Sequence, residues 1–80
     1  MKFHLFRRPR NVGSGWKKWK TVEAENSIAA LMKAEFKEET MHVNSWDDRL
    51  GILGGASEFV ALTDKEIKGW DPHSKLPEKQ

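Results

Sequence analysis

There is no cysteine in these 80 residues, so neither a disulfide framework nor a thiolate metal site supports the fold, which fits a reducing compartment. Also missing is any apolar run approaching the roughly 20 residues that a membrane-spanning helix needs. Met1 to Arg10 alternates apolar and basic residues and lacks the apolar stretch of a signal peptide. The expectation is a soluble cytoplasmic protein that does not span a membrane. Catalytic signatures are missing too: there is no Gly-x-Ser-x-Gly elbow, no P-loop and no cysteine nucleophile, and Gly51 with Gly54-Gly55 does not match a dinucleotide fingerprint. His4, His42 and His73 fall in no metal-ligand spacing, and Asp47-Asp48 beside Asn44 lacks the spacing and terminal glutamate of a calcium loop. The sequence therefore predicts no enzyme, no cofactor and no metal site.

A chain of this length supports one hydrophobic core, and such a core rarely yields more than roughly 3–5 kcal/mol of net stability. A binding surface asks less of that margin than a strained catalytic pocket does. Net charge is only +2, but it is distributed unevenly. Lys2, Arg7, Arg8, Arg10, Lys17, Lys18 and Lys20 give residues 1–20 seven cations and no acid, whereas residues 21–71 hold eleven acids against five bases. Two electrostatic ends follow unless the groups fold onto one another, and the basic end suits phosphate or an acidic protein surface.

Local patterns predict the elements. Lys2 to Arg7 reads as a strand with Phe3 and Leu5 on one face and His4 and Phe6 on the other, ended by Pro9. A Gly/Ser loop leads to a second strand, Trp16 to Ala24, whose Lys18, Lys20, Val22 and Ala24 share one parity and Lys17, Trp19, Thr21 and Glu23 the other. Ile28, Leu31, Met32 and Phe36 then form an amphipathic helical stripe, capped by Asn26 or Ser27. Met41–Trp46 and Arg49–Leu53 read as strands about a turn at Asp47-Asp48, and Gly54-Gly55 signals a hairpin into Ser57–Leu62. Thr63 and Glu66 make a capping-box pattern over one helical turn at 64–68, with Gly69 as its C-cap. The predicted fold is α+β: an antiparallel sheet of four or five strands with one amphipathic helix packed on it, in the order ββαβββ plus a short helical turn. Residues 1–71 form the domain, and 72–80, polar with Pro72 and Pro77, form a flexible tail.

Two segments stand out as partner-binding candidates. In the first, Arg7, Arg8 and Arg10 precede Trp16, Lys17, Lys18, Trp19 and Lys20, interleaving phosphate-neutralising cations with indoles able to stack on bases. Trp16 and Trp19 lie three apart, so both cannot occupy one strand face, and core or rim packing competes with stacking. In the second, Trp46 stands beside Asp47 and Asp48, where acidic charge would imitate phosphate on a DNA-binding partner. Four tryptophans, Trp16, Trp19, Trp46 and Trp70, exceed what so small a core buries. At least one is expected at the surface, and exposed tryptophan is a common interface anchor. The denser charge of the first segment makes it the preferred contact and the second the alternative.

The passage Thr21-Val22-Glu23-Ala24-Glu25-Asn26-Ser27-Ile28-Ala29-Ala30 resembles the β-to-α passage of small phage-encoded proteins, compact anti-CRISPR inhibitors among them. It covers about an eighth of the chain and specifies no site residue. The resemblance implies a non-enzymatic inhibitor that binds a protein or ribonucleoprotein complex and blocks a host nucleic-acid-processing or CRISPR effector complex. The alternative expectation is a nucleic-acid-binding module that uses the basic, Trp-containing segment.

Overall fold

In the computed structural model, which describes residues 1–10, 13–35 and 38–78, β1 (Lys2–Pro9) is the strand on which the other elements are assembled. It pairs antiparallel with β2 (Lys17–Glu23) on one side and with β5 (Ser57–Leu62) on the other. From β2 the chain crosses one face of the sheet through helix α1 (Ser27–Met32) and reaches β3 (Met41–Val43) at the opposite edge. It then returns by way of β4 (Leu50–Leu53) to β5 and closes with helix α2 (Asp64–Ile67). Across the five-stranded sheet the order is β2-β1-β5-β4-β3. The α+β class and the antiparallel sheet are as the sequence predicts. The arrangement across the sheet and the helix details come from tertiary packing.

Where the chemistry is local, the expected devices are present. Asn26 caps α1 by accepting from the Ala29 amide at 2.8 Å. Thr63 and Glu66 complete the reciprocal capping box of α2, and Gly69 takes a positive φ just beyond it. Gly54 and Gly55 both have positive φ in the β4–β5 turn, a backbone region that side-chain-bearing residues rarely occupy. The β3 strand is shorter than the predicted Met41–Trp46, because Asn44 captures the backbone amides ahead of it and turns the chain.

The helix corrects one expectation. Its buried face carries Ser27, Ala30 and Leu31, continued by Ala34 just past its end, whereas Ile28 and Met32 are 42% and 41% exposed. Small residues let the helix axis approach the sheet closely, with Leu31 as the one large side chain driven into the core. Ile28 and Met32, one turn apart, are left on the flank. Phe36, the last residue of the predicted stripe, lies outside the described residues.

The second strand corrects another. Its register with β1 runs Phe3↔Val22, Leu5↔Lys20, then Phe6↔Lys18 and Arg7↔Lys17, so Trp19 is an extra residue on β2. A bulge of this kind breaks strict alternation. It allows Trp19, Val22 and Ala24 to pack against the same cluster, which Phe3, Leu5, Leu31, Met41, Leu53, Phe59 and Ala61 help to form beneath α1.

The sheet is also covered on its other face, which the sequence does not predict. Phe6, Trp16, Val60 and Leu62 form a second cluster there, with Leu50, Ile67, Trp70 and Leu76 packed against it. Phe6 and Trp70 meet edge to face with ring centroids 5.1 Å apart. The segment set apart as a tail is thus attached to the domain at several points. Leu76 packs on this cluster, the Trp16 amide donates to the Pro72 carbonyl at 2.9 Å, and Arg49 donates to the Pro77 carbonyl at 2.8 Å.

Candidate binding surfaces

The two segments nominated from sequence lie toward opposite edges of the sheet, the first on β1 and edge strand β2, the second in the turn after edge strand β3. On the first, the aromatic residues are not free platforms. Trp16 is 4% exposed within the second cluster, with the Arg8 guanidinium 4.2 Å from its ring centroid. Trp19 packs on Phe59 at 5.2 Å, and Lys20 and Arg7 stand 4.3 and 5.9 Å from its ring. Both indoles serve packing and cation–π contacts, the core or rim packing that the sequence set against base stacking.

The cations of this segment divide into two groups. Arg8 pairs with Glu58 at 3.2 Å, Lys18 donates to His4 Nδ1 and to Thr21 at 2.8 and 3.0 Å, and Lys20 donates to the Lys33 carbonyl at 3.4 Å. Arg7, Arg10 and Lys17 are exposed and make no ion pair among the described residues. A groove of about 420 Å³ opens at this end, lined by Arg7, Arg8, Pro9, Ser14, Lys17 and Ser57. A second hollow of about 500 Å³, lined by Met1, Lys2 and Thr63 to Lys65, holds charges that satisfy one another. There Asp64 meets both His4 and Lys2, and the proton on the His4 ring, with the Lys2 charge in support, draws its carboxyl below the ordinary value of 3.8 against the opposing effect of desolvation.

At the opposite edge the β3–β4 turn carries Trp46, which is 96% exposed. Its backbone is held firmly. The Asn44 side-chain carbonyl accepts from the Trp46 and Asp47 amides at 2.7 and 3.0 Å, and the Leu50 amide closes the turn on the Asp47 carbonyl at 3.1 Å. Asp47 is not a free acidic contact, for its carboxylate accepts from Arg49 Nε and a terminal guanidinium nitrogen at 2.9 and 2.8 Å. Asp48 is half-buried, and its carbonyl accepts from Ser27 of α1 at 3.1 Å.

Beneath the turn Arg49 is 6% exposed and reaches the equally buried Glu66 at 3.0 Å, and these carboxylates hold its guanidinium pKa above the ordinary value despite its burial. Glu66 was legible as a capping residue. Its second role as the partner of Arg49 was not, since no local pattern links positions 17 apart. Among the described residues no group of three or more His, Asp or Glu side chains is placed to hold a metal ion, and no helix is long and apolar enough to cross a membrane. No protein-family model, curated protein or solved structure matches this chain.

Proposed function

We propose that this chain is a non-enzymatic binding protein that docks on a protein or ribonucleoprotein complex with Trp46 as its anchor. The supporting observation is the almost complete exposure of a tryptophan on a turn whose backbone is internally bonded. A tryptophan buries on the order of 150–250 Å² when it enters a pocket, a gross gain of roughly 4–6 kcal/mol at 25 cal/mol/Å². Because the turn is already ordered, little of that gain is spent on fixing the backbone during association. Ile28 and Met32 offer further apolar area on α1, whose first turn is tied to the same loop by Ser27 and the Asp48 carbonyl.

The resemblance of residues 21–30 to small phage-encoded inhibitors supports a more specific form of this reading, in which the complex is a host nucleic-acid-processing or CRISPR effector assembly. The basic β1–β2 end supports a second reading, a nucleic-acid-binding module, because three of its cations pair with no anion among the described residues. Affinity capture from a host lysate with the wild-type chain, read for both protein and nucleic acid, supplies the partner. Titration of the purified partner then separates the readings. Trp46→Ala is expected to weaken binding by about 30-fold or more, the loss typical of an interface hot spot. Wild-type affinity in Trp46→Ala, with loss of affinity in an Arg7, Arg8 and Arg10 to Glu variant, would replace the anchor with the basic end. Steep weakening in salt would mark contact with phosphates.

A further inference from the structure

We propose that the groove at the Arg7–Lys17 end of the β1–β2 ribbon is a phosphate-binding site for the backbone of a nucleic acid, gripped between these two residues. These two residues are direct cross-strand partners. Like charges placed opposite one another destabilise a strand pair, and no acidic side chain among the described residues pairs with either. An oxyanion between the two cations would convert that repulsion into two attractive contacts. Such a local penalty, with the Trp19 ring 5.9 Å from Arg7 but no acidic partner among the described residues, is the pattern expected of a functional site.

The groove supplies further donors. Ser14 and Ser57 line it, and neither side-chain hydroxyl makes a hydrogen bond among the described residues. Arg8 forms a wall whose charge is already balanced by Glu58 and whose guanidinium lies over Trp16, so it shapes the groove without adding a net free charge. The groove volume of about 420 Å³ is ample for a phosphate with its flanking sugars.

Polymeric phosphate fits better than an isolated ion. Arg10, exposed and one residue beyond the groove-lining Pro9, adds a third cation without an ion pair among the described residues, more than a single phosphate requires. With Trp16 buried and Trp19 covered by cations, the site has no open ring on which to read a base. Contact therefore falls on the backbone and is independent of sequence. Because β2 is an edge strand of the sheet, a chain can approach this ribbon from the side without displacing another element.

This site is independent of the Trp46 anchor, and the test keeps them apart. Fluorescence-polarisation titration of a labelled oligothymidylate at several salt concentrations is compared among wild type, Lys17→Glu, Lys17→Gln and Trp46→Ala, with polyglutamate and inorganic polyphosphate of matched length as competitors. Wild type is expected to bind at low salt, and Lys17→Glu to lose at least about tenfold in affinity because it turns attraction into repulsion. Lys17→Gln is expected to flatten the logarithmic salt dependence by roughly 0.7, the contribution of one single-strand phosphate contact. Trp46→Ala keeps full oligonucleotide affinity, and polyphosphate competes better than polyglutamate at equal charge. Lys17→Glu also places an acid opposite Arg7, so its melting temperature should equal or exceed that of wild type, which separates lost binding from lost folding. Absence of wild-type binding at low salt, unchanged affinity in both Lys17 variants, or polyglutamate as the stronger competitor would each overturn the proposal, the last in favour of an acidic protein surface.

Discussion

Arg49 donates through Nε and a terminal nitrogen to Asp47 at 2.9 and 2.8 Å, gripping one end of the turn from which Trp46 projects. The other terminal nitrogen reaches Glu66 at 3.0 Å, so a single guanidinium joins the β3–β4 turn to the cap of α2. Removing it leaves the Glu66 carboxylate, 6% exposed, without its cation. Arg49→Ala should therefore cost about 3–5 kcal/mol, the usual penalty for breaking a buried pair from one side. Arg49→Met combined with Glu66→Met should cost clearly less than the two single changes summed. Urea denaturation of wild type, Arg49→Ala, the two Met singles and the double measures both, and additive losses in the Met series would show that the pair is not coupled.

Leu31→Ala is expected to destabilise by about 2–5 kcal/mol, since the side chain is fully buried under α1 and a cavity would remain. Ile28→Ala, on the flank of the same helix, should change stability by less than about 1 kcal/mol. Equal losses for the two would mean that the helix presents its Ile28–Met32 face to the sheet after all. Thermal melts followed by circular dichroism decide between them.

Trp46 can be tested as a solution feature without any partner. Trp46→Phe should remove most of the emission that acrylamide quenches in the folded protein, because Trp16 is buried and Trp19 and Trp70 are partly covered. Stability should stay within about 0.5 kcal/mol of wild type, as for surface changes that break no internal contact. An unaltered quenching curve would place the indole against the protein.

The Asp64 carboxyl has a pKa lowered chiefly by its hydrogen bond from His4, with Lys2 adding an attractive charge. A carboxylate whose folded pKa lies below its unfolded one binds fewer protons in the native state at mildly acid pH. Its contribution is thus present above the unfolded value and fades as pH falls through the folded value. The melting temperature of wild type should exceed that of Asp64→Asn at pH 7, and the gap should close as pH falls through the lowered folded value, where both forms become neutral at this position. A gap that persists at low pH would point to a role for Asp64 other than its charge.

Much of the fold is written in neighbouring residues. Period-two patterning places β1, paired glycines followed by strand-forming residues place β5 and the turn before it, and Thr63 with Glu66 caps α2, because each of these depends on side-chain parity, residue type or hydrogen bonds within a few positions. The candidate site was legible only as separate residues. Arg7 and Lys17 were both nominated from charge, but their opposition arises from the β1–β2 register, and Ser57 joins them from a strand 40 residues further along. The same register, through the bulge at Trp19, defeats the simple parity of β2.

What the sequence by itself determined is the class of the domain, its local caps and turns, and the concentration of positive charge in the first 20 residues. Which helix face is buried could be decided only by tertiary structure, because Ile28 and Leu31 are equally hydrophobic and only the fit of Ala30 and Ala34 against the sheet separates them. The same holds for the second core on the far side of the sheet. Trp16, Trp70 and Leu76 are isolated apolar residues along the chain, and they become a cluster when the sheet brings together segments more than 50 residues apart. Trp46 shares their chemistry and ends in solvent, on a turn whose backbone Asn44 and Arg49 hold internally.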